Sequence, residues 1–82
     1  MSFPIDLSDM LPRTPGEAVS RRLSTTRGAF LVTVRMEAES VFTVRITSES
    51  GVLVDQTQRP VPRDVAEFWY RDFCVEYMGD NR

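Results

Sequence analysis

The chain has no histidine, no lysine, a single cysteine and no apolar run approaching the roughly 18 residues that a membrane-spanning helix needs. Without histidine, the commonest general base and the commonest metal ligand are missing. A lone thiol, Cys74, makes no internal disulfide and fits a reducing compartment, so a cytoplasmic location is expected. All ten basic residues are arginine. A GC-rich genome produces that composition, and an interface that needs planar bidentate forks selects it too. The opening stretch MSFPIDLSDML carries two acids, no base and no continuous apolar run, and reads as neither a secretory signal nor a transit peptide.

What is present is enough for one small domain. At 82 residues the chain hides only about 60% of the surface its unfolded form exposes, so its core has to be economical. Net charge is −2, yet the charges are sorted. Arg13, Arg21, Arg22, Arg27 and Arg35 form a basic block interrupted by Glu17 alone, whereas Asp64, Glu67, Asp72, Glu76 and Asp80 form an acidic block around Arg71. Sorting of this kind hints at a charged partner or at self-association.

Residues 1–13 read as an arm, broken by Pro4 and Pro12 and offering Phe3, Ile5, Leu7, Met10 and Leu11 as apolar anchors. A single domain is expected over 14–82. Thr14-Pro15-Gly16-Glu17 carries the signals of a helix start: an N-cap threonine, a proline at the first helical position and a carboxylate placed for a capping box. The spacing predicts a short helix over roughly 15–25, with Ala18, Val19 and Leu23 inward. The period then changes to two. AFLVTVRME, SVFTVRITS and GVLVDQT each alternate apolar and polar residues and are rich in β-branched types, which predicts three strands joined by short polar links. Pro60 and Pro62 stop the third strand. A long helix follows, from Pro62 to about Met78, closed by Gly79. The expected fold is α+β: a three-stranded antiparallel meander with a short N-terminal and a long C-terminal helix on one face, in the order αβββα.

The last helix carries more apolar bulk than one stripe requires. Ala66, Trp69, Tyr70, Phe73 and Tyr77 share an arc of about 100° that faces Phe30, Val32, Val34, Phe42, Val44, Ile46, Val52 and Val54 of the sheet. Phe68 and Val75, seven apart, form a second stripe among Asp64, Arg71 and Asp72. It is either covered by the arm or offered to a neighbour, since an aromatic inside a charged rim is the pattern of an interface centre. Arg35 and Arg45 are the polar handles of the other sheet face. Asp64, Phe68, Arg71, Asp72, Val75, Arg35 and Arg45 are therefore the expected partner-binding residues.

The order αβββα resembles that of double-stranded-RNA-binding domains. That resemblance stops at the order of elements, because such domains place a lysine cluster where this chain reads Pro60-Val61-Pro62-Arg63-Asp64. Arg13, Arg21, Arg22 and Arg27 are the only concentrated basic segment for a nucleic-acid alternative, and the negative net charge disfavours it. Catalysis has no legible apparatus: Cys74 lacks an activating base, Asp72 and Glu76 are one carboxylate pair, and no glycine-rich phosphate loop occurs. No cofactor or metal is expected. What remains is a small non-enzymatic interaction domain, an inhibitor or adaptor that occludes another protein. Antitoxins, immunity proteins and phage or mobile-element inhibitors are of this size and kind. A homodimeric structural protein is the further alternative.

Overall fold

The computed structural model describes residues 7–25 and 27–78. A short 3₁₀ turn, Leu7–Met10, precedes strands β1 (Ala18–Thr25), β2 (Gly28–Ala38), β3 (Val41–Ser48), β4 (Leu53–Gln56) and β5 (Val61–Pro62), and helix α1 (Arg63–Met78). The strands form one antiparallel sheet in the order β1-β2-β3-β4, with β5 also paired to β3. Since β3 pairs through 45–47 with β4 and through 41–42 with β5, those two short strands lie end to end along its outer edge.

The central pair follows from the alternation of the sequence. Opposed residues point the same way in an antiparallel ladder. The register therefore sets Val32 beside Ile46, Val34 beside Val44 and Met36 beside Phe42 on one face. Each valine of these pairs, and Ile46, is fully buried. Helix α1 closes that face with Ala66, Tyr70, Phe73 and Cys74, and half-buried Trp69 flanks them. Phe73 meets Phe30 edge to face at a centroid distance of 6.1 Å and stacks along Trp69 at 6.2 Å. Both are geometries in which aromatic rings gain beyond their buried area.

The helix expected over 15–25 is instead strand β1. Val19, Arg21 and Leu23 oppose Val34, Val32 and Phe30, while Ser20 and Arg22 oppose Thr33 and Leu31. Leu23 is fully buried in this register. The residues that resemble a helix cap make a β-turn. Glu17 N–H donates to the Thr14 carbonyl at 3.0 Å, Pro15 occupies the second position and Gly16 the third with φ +92°. That is the type II arrangement, in which proline presets the first φ and glycine takes the positive one. Gly16 N–H and Glu17 C=O then pair with Met36, so the turn hands the chain to the edge of β2. Pairing with an eleven-residue neighbour outweighs a local helix preference resting on few residues. The meander consequently has four strands, and among the described residues no α-helix precedes it.

The described part of the N-terminal segment belongs to the core. Leu7 and Met10 are buried to 2% and 1% exposure, and the 3₁₀ turn touches both α1 and β1. Phe3 and Ile5 lie outside the described residues, as does Gly79, and the side chain of Tyr77 is also outside them.

The β4 edge departs from the simple pattern. The register slips between Ile46–Asp55 and Thr47–Leu53, which leaves Val54 as an extra residue. Val52, expected in the core, is 63% exposed. A second departure follows at Thr57, whose N–H donates to the Val44 carbonyl at 3.0 Å while its hydroxyl oxygen accepts from Val44 N–H at 3.1 Å. A side-chain oxygen thus does the work of a ladder carbonyl, and the backbone is released to bulge. Between Thr57 opposite Val44 and Val61 opposite Phe42, three residues (Gln58, Arg59 and Pro60) face only Thr43.

This bond is testable. Thr57→Val keeps the shape but strands a buried donor, and should cost roughly 1–3 kcal/mol in urea unfolding. Thr57→Ser, which restores the oxygen, should cost clearly less.

Candidate functional site

The outer face of α1 is apolar at its centre and charged around it. Helical spacing turns Ala66, Tyr70 and Phe73 onto the sheet, which leaves Phe68 and Val75 pointing away. Phe68 is 71% exposed, with Val75 at 59% and Val65 at 44% beside it. Asp64, Arg71, Asp72 and Glu76 ring these three and are all exposed. Glu67 is engaged within the helix, where its Oε2 accepts from Arg63 Nε at 2.9 Å. The described residues of the N-terminal segment therefore do not cover the Phe68 stripe. They fill the opposite side of the helix.

The second surface is the sheet face turned away from α1. Its rows carry Ser20, Arg22, Leu31, Thr33, Arg35, Thr43, Arg45, Thr47 and Gln56 in register. Toward the β4–β5 bulge this face hollows into a concavity of about 570 Å³, lined by Arg35, Arg45 and Arg59 with Glu37, Gln56 and Gln58 among its other walls. Arg35 Nε lies 3.7 Å from Glu37 Oε2, and the same oxygen accepts from the Thr43 hydroxyl at 2.9 Å. Arg45 and Arg59 have no carboxylate partner among the described residues. Nearer β1, Arg22 reaches across Leu31 to Glu49 at 2.8 Å, with both ends exposed.

The structure thus separates the expected binding residues into two groups. Asp64, Phe68, Arg71, Asp72 and Val75 share the helix face, while Arg35 and Arg45 share the concavity on the other side of the sheet. Arg59 joins the second group through the bulge, which the sequence announces only as a proline-broken strand end. The four arginines of the nucleic-acid alternative do not all share one face. Arg21 and Arg22 are neighbours on a strand and point to opposite faces, Arg22 is paired with Glu49, and Arg13 sits beyond the Pro15-Gly16 turn.

Among the described residues no group of three or more Cys, Asp or Glu could hold a metal ion, and no helix is long and apolar enough to cross a membrane. Comparison of the chain with protein-family models, with curated proteins and with solved structures finds no significant match.

Cys74 is fully buried, and its burial pushes the thiol above its ordinary 9.0, while the neighbouring Tyr70 side chain acts in the opposite direction. A buried neutral thiol is a packing residue rather than a nucleophile. Its neutrality favours the fold below the unfolded value of about 9, and that contribution is lost as pH rises through the higher folded value. Cys74 should therefore react with a disulfide-exchange reagent at least about a hundredfold more slowly in the native protein than in guanidinium. Comparable rates in the two states would contradict the packing described above.

Proposed function

We propose that the protein is a non-enzymatic interaction domain whose outer α1 face docks on another protein, acting as an inhibitor or adaptor. The observation that carries this reading is Phe68, a large aromatic at 71% exposure inside a rim of charges. Exposed phenylalanine costs solubility, and interface centres are where aromatics of this kind concentrate their effect. The rim selects the partner. Around the stripe, Asp64, Asp72 and Glu76 outnumber Arg71, so an apolar pocket bordered by arginine or lysine is complementary to it.

A second copy of this chain is the poorer occupant. A two-fold dimer through this face sets the stripe on itself and brings acids against acids. A nucleic-acid role through Arg13, Arg21, Arg22 and Arg27 has no shared face to work from.

The test places a photo-crosslinking phenylalanine analogue at position 68 in the cells that make the protein, with Glu39 as the control position. Position 68 should yield a cross-linked protein with a basic-rimmed pocket that position 39 does not. Once purified, that protein should bind the wild-type chain at least about tenfold more tightly than Phe68→Asp, with unchanged circular dichroism. Identical products from both positions, or cross-linking to a second copy of the chain alone, would overturn the proposal.

A further inference from the structure

We infer that the concavity on the open sheet face is a separate binding site for an acidic protein segment, with Arg45 and Arg59 as its carboxylate-holding groups. The inference stands apart from the α1 reading, because the two surfaces lie on opposite sides of the sheet. Three arginines converge on a hollow of about 570 Å³ against the single carboxylate of Glu37. The hollow also shows the pairing it offers, since Arg35 is already set beside the carboxylate of Glu37. Arg45 stands in the register row of Thr33 and Gln56, and Arg59 is delivered from the other wall by the Gln58-Arg59-Pro60 bulge. Guanidinium forks match carboxylates bidentately, and the side-chain amides of Gln56 and Gln58 can serve the backbone groups of an extended peptide.

Single-stranded nucleic acid is the main competitor for a cationic sheet face, and two features argue against it. Such platforms stack bases on aromatic side chains. The rows of this face hold threonine, serine, arginine, leucine and glutamine, and no aromatic residue. A phosphate backbone also needs a continuous basic track. Here Glu37 stands inside the hollow, and Glu49 occupies the next arginine along the face, Arg22. A short acidic peptide needs only the local pair. With both surfaces occupied, the protein holds two partners on opposite sides of one sheet, which is the geometry of an adaptor.

The experiment is fluorescence anisotropy of the intact chain with three labelled probes at low ionic strength: a glutamate-rich decapeptide, its glutamine counterpart and a decathymidine. The glutamate peptide should bind, the glutamine peptide should not, and added salt should weaken the complex. Arg45→Glu with Arg59→Glu should reduce affinity at least about tenfold. The charge-matched pair Arg13→Glu with Arg21→Glu, placed outside the hollow, should change it by no more than about threefold, and Phe68→Asp should leave it unchanged. Absence of binding, or equal losses in the two double variants, would overturn the site. Tighter binding of decathymidine with the same dependence on Arg45 and Arg59 would overturn the acidic segment in favour of nucleic acid.

Discussion

The packing of α1 onto the β2–β3 pair is the contact on which the rest of the molecule depends. Tyr70, Phe73 and Cys74 press on a row built from Phe30, Val32, Val34, Val44 and Ile46, and each fully buried aliphatic residue there is worth roughly 1.5–3 kcal/mol. A one-residue slip in either strand would turn its whole apolar row to solvent, so the helix fixes the register as well as the stability. One helix covers one face. The described residues supply a single further piece, the 3₁₀ turn with Leu7 and Met10, and it extends the same roof toward β1. The second sheet face and the back of α1 are left open by this arithmetic of layers, and those are the two places where the chain invests unusual residues.

The sequence pattern made β2, β3 and α1 legible because each carries a long and unambiguous period. The alternation from Phe30 to Met36 and from Phe42 to Ile46 admits one face assignment, and the structure adopts it. Segment 18–25 was open to misreading because Ala18, Val19 and Leu23 satisfy a helical stripe while Val19 and Leu23 also satisfy an alternating one. The deciding partner, β2, is distant in sequence at the far end of the strand. The Thr14-Pro15-Gly16-Glu17 motif is ambiguous for a related reason: proline in second place suits both a helix start and a type II turn, and only the positive φ at Gly16 separates them. The β4 edge was least legible. Its bulges depend on a side-chain hydroxyl, Thr57 Oγ1, replacing a backbone acceptor, an exchange that no periodicity records.

Half of the proposed interaction surface is legible in the sequence. Helical geometry alone places Phe68 and Val75 opposite Ala66 and Phe73, so their turning away from the sheet followed from the spacing, whereas their exposure is a finding of the structure. The concavity could be anticipated only as far as Arg35 and Arg45. Arg59 arrives through the bulge, and the hollow exists because three residues span the space opposite Thr43. The sorted charges also acquire a structural meaning. Once 18–25 is a strand, its arginines divide between two faces and the basic block of the sequence loses its unity. The acids of α1 fall in two pairs, Asp64 with Glu67 and Asp72 with Glu76, three and four residues apart, and the pairs flank the Phe68 stripe.

Under the proposed function, the back of α1 is an open surface that meets a different protein. Light scattering on a sizing column, with wild type and Phe68→Asp run at tens of micromolar, tests it most directly. Both proteins should then show the mass of one chain, with the same elution position. A wild-type dimer that Phe68→Asp converts to a folded monomer would contradict that function, because the stripe would then already be occupied by a second copy.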